Sequence, residues 1–509
     1  MASLAKSGAL SSVFVIYGAA AAFVATLIVS NGLGQQASGE FFQVMALFTI
    51  ATSLSVFGAD TGLVRTVSAQ QAVGRYSAIK KLIRYAAVPS LCISIGITVV
   101  ALIYTIPALS PHLSDSYRLT FNVAAPFLIA AAAMTLCFGV LRGLGKVVTF
   151  TALQNVLLPT LRILAVLLVV AFAGSMVSLA LSWTVPVVLV AVFSLFLVKK
   201  YLPQQQDRVH EGAIAEETAG SFWSFSSARG VSAVVESILE WIDVLCVAFF
   251  LSSAASGIYG AVNRMVRMGV MVDHIGRVVT GPSISAAIAT KDLDRARQIF
   301  VGNTRALIAV GWPFYITLAF FGPVLMGVFG QGFSDGAGVL WVICPAMMLV
   351  MAAGGVQSVL LMSGKSRWQL YNKLSSLLVS VVLNLLLVPL WGLYGAVTAW
   401  SAAVLVDTLL AAYQVLRLVG IRAKPAEMLP VMLISSLLPL LGALATTLLL
   451  GENWLAILVY AALVIPLYGL LMYRFREAIG IENIFTSRKK KKSLPGKHFD
   501  KKESDVSGT

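Results

Sequence analysis

The sequence predicts an all-α integral membrane protein with about fourteen transmembrane helices, and three observations predict it. First, 58% of the 509 residues are hydrophobic and 12% are charged, against roughly 45–50% and 25% in soluble domains. Second, apolar runs of about 20 residues, enough to cross a hydrocarbon core of roughly 30 Å, recur from end to end. Third, lysine and arginine gather in alternate short connections, which is how polytopic membrane proteins set their orientation.

The spans fall near 9–33, 39–63, 82–107, 120–141, 150–172, 176–198, 225–251, 258–282, 304–330, 338–362, 369–389, 393–416, 428–450 and 454–473. The first run begins after Lys6 and is too long for a signal-peptide core, so it is expected to be a span. One set of connections holds Arg65, Arg75, Lys80, Lys81 and Arg84; Arg142 and Lys146; Lys199, Lys200 and Arg208; and Lys291, Arg295, Arg297 and Arg305. It continues through Lys365, Arg367, Arg417, Arg422 and Lys424 into the tail, while the opposite set holds only Arg118. This asymmetry predicts an even number of spans with both termini cytoplasmic. The expected division is an N-lobe at 1–198, a cytoplasmic linker at 199–220, a C-lobe at 221–417, two further spans at 418–475 and a basic disordered tail at 476–509.

The net charge of +15 sits in connections and tail, a distribution that argues against nucleic-acid binding and for anchoring beside anionic lipid heads. Cys92, Cys137, Cys246 and Cys344 all fall inside spans without disulfide or metal-ligand spacing. No cofactor is expected. "SGKS" at 363–366 lacks the upstream glycine of a phosphate loop, position 359 being Val359.

An internal repeat organises the chain. "LGQQASGEFF" from Leu33 and "LSSAASGIYG" from Leu251 both carry Ala-Ser-Gly before an aromatic at equivalent turns, and six spans separate them. Two halves entering the membrane in the same sense are a common transporter plan. With "FGADTGLVRTVSA" (57–69), "LRGLGK" (141–146), "WIDVLCVAFFLSSAASGIYGAVNR" (241–264) and "SGKSRWQLYNKLSSLLVSVVLNLLLVPLWGLYGAVTAW" (363–400), these stretches resemble the multidrug/oligosaccharidyl-lipid/polysaccharide exporter superfamily, and within it the bacterial polysaccharide flippases. The resemblance implies a MATE-like fold of two pseudo-symmetric six-helix lobes plus two C-terminal helices, in the bacterial cytoplasmic membrane. It also implies a function: carrying polyprenyl-pyrophosphate-linked oligosaccharides to the outer leaflet by alternating access, in company with membrane lipids and polysaccharide assembly machinery.

The charged residues of two spans stand out beside this. The eighth carries Arg264, Arg267, Asp273, His274 and Arg277. Three lipid-facing arginines would cost on the order of 10 kcal/mol, so the helix must face protein or water. At about 100° per residue Arg264, Arg267, His274 and Arg277 share one face. In the seventh span Arg229, Glu236, Glu240 and Asp243 lie within an arc of about 60°. Guanidinium forks suit a pyrophosphate, so Arg264, Arg267, Arg277, Arg229, His274 and, from the fifth span, Arg162 are candidate substrate contacts. Glu236, Glu240, Asp243, Asp273 and Asp60 are candidate coupling groups or charge partners, and mutual neutralisation across the helix pair is the alternative. Lys373 is expected to reach the cytoplasmic interface, and Asp407 has no evident partner.

Two rivals stand beside the flippase. A cation-coupled multidrug exporter of the same superfamily needs an acidic, aromatic cavity. A membrane glycan polymerase or ligase needs outer-face acids, for which only Asp115, Asp335 and Glu452 offer themselves on short loops. Carriage of the peptidoglycan lipid precursor belongs to the same chemistry as the first reading.

Overall fold

A computed structural model of the chain describes residues 2–108, 115–172, 174–202, 218–421 and 424–476, and all regular structure among them is helical. The elements of the first half are α1 (Ala2–Val56), α2 (Ala59–Ala72), α3 (Tyr76–Tyr104), α4 (Asp115–Ala124), α5 (Phe127–Gly143), α6 (Val147–Ala152), α7 (Leu158–Ala171) and α8 (Met176–Tyr201). A π turn, Leu153–Leu157, joins α6 to α7. The second half holds α9 (Ala219–Phe250), α10 (Ser253–Ala289), α11 (Leu293–Phe320), α12 (Gly322–Gly327), α13 (Leu340–Ala353), α14 (Val356–Met362), α15 (Ser366–Trp391) and α16 (Leu393–Gln414). After these come α17 (Pro425–Leu450) and α18 (Trp454–Arg474). Most of the linker expected at 199–220, with Arg208, and the tail from 477 lie outside the described residues, as does Arg422.

Ten described helices are long and apolar enough to cross a membrane, or eleven if α4 and α5, bent by 40° at Pro126, make one span. One of the ten, Leu10–Val56, has 47 residues, about 70 Å of helix at 1.5 Å per residue. It folds back at Gly34, whose φ of 78° is open to glycine at little cost, and so supplies two arms. The helices α9 and α10 have 32 and 37 residues and ample length, but their charge keeps them out of the ten. Fourteen crossings stay an expectation of the sequence. The expected second span is broken at Phe57–Gly58, and the expected tenth at Gly354–Gly355, where Gly354 has φ 72°.

Two groups of helices pack around cores that are joined. Leu63, Val67, Ile79, Leu82, Leu141 and Val190 centre the first, drawn from α2, α3, α5 and α8. Val262, Leu307, Tyr315, Leu340 and Met347 belong to the second, drawn from α10, α11 and α13, which also takes in Phe41 and Phe42 of α1, Val166 of α7 and Leu179 of α8. The helices α17 and α18 pack on each other, with α17 against α11. Between the groups, α9 begins against the first, where Phe222 is buried in its core and the Trp223 indole donates to Tyr85 O at 3.0 Å, and ends against α15. The second arm of α1 runs beside α10.

Polar ties between helices place two of the charges. Asp60, expected as a coupling group or charge partner, accepts from Arg142 of α5 at 2.7 Å, tying α2 to α5. Asp407 has a partner after all: Lys373 of α15 reaches it at 2.7 Å rather than extending to the interface. Spacing within one helix cannot reveal either pair, because each partner lies on another helix.

Candidate functional site

A cavity of about 1400 Å³ opens between the first arm of α1 and α10, larger than the roughly 300–1,000 Å³ of most small-molecule sites. Its walls are the first arm of α1 from Gly8 to Phe23, the segment Gly145–Asn155, and α10 from Arg264 to Arg277, with Trp400 of α16. Arg277 follows Arg264 by thirteen positions along α10, a depth of about 20 Å. Arg277 and Gly8 lie toward the end of the bundle that bears Arg75, Lys80, Lys146 and Lys200, here called the basic end. At the other end, near the α1 kink, α1 and α10 close on each other. A side chain at Gly39 would collide with the Ser253 backbone, one at Gly257 with Gln35 O, and one at Gly260 with the Phe42 ring. The Gln43 amide donates to the Ser253 hydroxyl at 3.1 Å, and the Asn31 amide to Val328 O at 2.6 Å.

The basic wall follows from the helical period. Arg264, Arg267, Met268, Met271, His274 and Arg277 all line the cavity from α10. The charges on this wall differ in how they are held. Arg267 pairs through Nη1 with the Glu240 carboxylate of α9, and also donates through Nε to Asn263 Oδ1 at 3.1 Å and through Nη2 to Glu240 O at 3.3 Å. Arg277 pairs with Asp273 at 3.2 Å, one turn back on its own helix. Arg264 makes no ion pair among the described residues; its guanidinium sits 6.0 Å from the Trp241 ring centroid. His274 is exposed to the cavity.

Arg162 lies on α7, outside the cavity lining. Its guanidinium lies 3.7 Å over the Trp183 ring, with Nε donating to Trp183 O at 3.3 Å, and it is within electrostatic reach of Arg264. Arg162 of α7 and Arg264 of α10 thus each lie against a tryptophan, and neither makes an ion pair among the described residues. Among the described residues the lining contains three arginines and no acidic residue. That arrangement attracts an anion with several oxygens, for which the guanidinium fork is well shaped.

The acidic face of α9 divides three ways. Glu240 serves Arg267. Glu236 pairs with Arg229 at 3.9 Å on the same helix, both half-exposed and away from the cavity lining. Asp243 is 1% exposed and turns to α15, accepting from Asn384 Nδ2 at 2.5 Å and Ser380 Oγ at 3.3 Å. Among the described residues one acid–base pair therefore joins α9 to α10. Sequence reasoning missed Trp183, Trp241 and Trp400, whose pairing with arginines or the cavity needs tertiary contacts to see.

Residues 4–275, more than half of the 509-residue chain, match the family described as polysaccharide biosynthesis protein. A curated relative, the probable low-salt glycan biosynthesis flippase Agl15 of Haloferax volcanii, is 20% identical over 427 residues, covering 82% of this chain and 85% of its own. Among solved structures, the lipid II flippase MurJ in an inward closed conformation has a TM-score of 0.71 at 13% identity, over 92% of this chain and 99% of that one. An inward-facing multidrug resistance MATE family transporter of the MOP superfamily gives 0.61 at 16% identity, over 79% and 96%. The MATE-like architecture expected of the sequence is the one found.

Proposed function

The chain belongs to the polysaccharide biosynthesis protein family, and on that footing we propose that it is a flippase for polyprenyl-(pyro)phosphate-linked oligosaccharides, working by alternating access rather than by catalysis. The observation that carries the reading is Arg264: a cavity guanidinium with no ion pair among the described residues, in a lining without carboxylates. Such a group binds best a ligand that brings its own negative charge, as a diphosphate does. Arg267, Arg277 and His274 extend the same wall, and Arg162 of α7, outside the lining, is a further candidate contact. The curated relative is itself called a glycan biosynthesis flippase.

The basic end faces the cytoplasm in this reading, since short basic connections are retained there. The cavity mouth then takes cargo from the cytoplasmic leaflet of the cell's inner membrane, where lipid-linked glycans are assembled, and both termini are cytoplasmic. The moving bodies are residues 1–198 and 221–417, with 418–475 carried by the second. Assembly enzymes of the polysaccharide are the natural partners on either side of the step.

Purified protein in liposomes, given a short-chain prenyl diphosphate bearing a fluorescent sugar, should move the probe between leaflets, and Arg264→Ala should abolish most of the movement. Equal movement in the wild type, the variant and empty liposomes refutes the reading. The multidrug-exporter alternative, with which the fold is also compatible, predicts efflux of cationic dyes instead. The absence of acids from the lining disfavours it.

A further inference from the structure

Opposite the arginines the cavity wall is polar but uncharged. It consists of Ser11 and Ser12 of α1 with Thr151, Gln154 and Asn155 of the α6–π-turn segment, flanked by Phe150. The backbone there is unusual for a physical reason. Pro159 has no N–H and its ring crowds the carbonyl four residues back, at Asn155. The helix relaxes into a π turn, Leu158 N–H reaching Leu153 O. A side chain at Gly18 would lie 2.9 Å from Asn155 O, so α1 seats its backbone on the freed carbonyl. An inserted turn of this kind re-aims side chains, which is why π-bulges gather at functional sites.

The side chains it presents are free to bind. Gln154 is exposed in the cavity and makes no hydrogen bond to another described residue. Asn155 uses only its Nδ2, on Thr151 O at 3.3 Å, and leaves Oδ1 open. The Ser11 hydroxyl is held only by a long contact from Thr151 at 3.5 Å. Carboxamides offer a donor and an acceptor side by side, while the Ser12 and Thr151 hydroxyls already donate, to Gly8 O at 3.1 Å and Val147 O at 2.7 Å, and keep their acceptor lone pairs. This inventory matches the vicinal hydroxyls of a neutral pyranose and gives a charged sugar no counter-ion.

We infer that the π turn Leu153–Leu157 and the facing stretch of α1 form a subsite for the uncharged sugar next to the diphosphate, across the cavity from the arginines. The inference rests on the flippase reading and adds a division of labour: α10 holds charge, and the turn reads sugar. Binding to purified protein in detergent would be measured with two probes, a C20 prenyl diphosphate and the same lipid carrying one neutral hexose. The wild type should prefer the sugar-bearing probe by about tenfold, the effect of one or two hydrogen bonds. Gln154→Ala should bring that preference close to one while leaving the sugar-free probe unchanged, and the unchanged probe shows that the variant is folded. Gln154→Asn should keep part of it. A wild type that binds both probes equally, or a Gln154→Ala variant that weakens both alike, overturns the subsite and leaves the flippase reading standing. A wild type that binds neither probe overturns both.

Discussion

Arg264 and Arg267 are three residues apart on one helix face, yet the structure assigns opposite outcomes to their loss. Arg264→Ala removes a guanidinium with no ion pair among the described residues. Folding stability should change by less than about 0.5 kcal/mol, as for substitutions that orphan nothing. Arg267→Ala strands the Glu240 carboxylate and breaks a bond to Asn263. Breaking a fully buried pair costs about 3–5 kcal/mol. The side chains here are 34% and 40% exposed, so solvent screening reduces the expected loss to about 1–2 kcal/mol. Diphosphate binding reverses the ranking. Losing charge-assisted hydrogen bonds of about 1.5–3 kcal/mol at Arg264 should weaken binding roughly 10- to 150-fold. Thermal unfolding in detergent and equilibrium binding of a C20 prenyl diphosphate measure the two quantities on the same samples. If Arg264→Ala unfolds as early as Arg267→Ala, or binds the lipid as the wild type does, the reasoning from unpaired charge is wrong.

Three further outcomes are expected. Cross-linking Gln43→Cys to Ser253→Cys, in a background with Cys92→Ser, should arrest transport, and reductant should restore it, because the Gln43–Ser253 contact spans α1 and α10; transport that continues in the cross-linked protein argues against opening there. Gly39→Val should hold the kink end apart, since a side chain at Gly39 meets the Ser253 backbone; faster labelling of Gln35→Cys by an impermeant maleimide reports it, and unchanged labelling counts against it. Lys373→Met should destabilise by about 3 kcal/mol, because Asp407, 6% exposed, is left unpaired; the double variant Lys373→Met, Asp407→Leu should recover most of the loss in a thermal unfolding assay.

The parts of the molecule legible in sequence were those governed by local periodicity. The basic face of α10 could be read because a helix repeats every 3.6 residues, and the fold-back near Gly34 because a 47-residue apolar stretch exceeds one crossing. The Asp60–Arg142 and Lys373–Asp407 pairs join different helices, 82 and 34 residues apart, and nothing within either helix announces the partner. The three-way division of the α9 acids was hidden for the same reason: residues on one arc meet different neighbours at different depths. Breaks inside spans, at Gly58 and Gly354, vanish in hydropathy because glycine is nearly neutral there. Pro159 was visible, but the π turn that answers it depends on α1 presenting Gly18.

At the kink end the seam between α1 and α10 is built from Gly39, Gly257 and Gly260 against backbone and ring, with amide and hydroxyl contacts around it. Such a surface holds by close fit, which in lipid is a main source of helix association, and fit decays within an ångström or so of separation. A closure made this way has a short range of action. It gives little resistance once parted and little pull until nearly seated, so it behaves as a latch rather than a spring. Salt concentration should have slight influence on it.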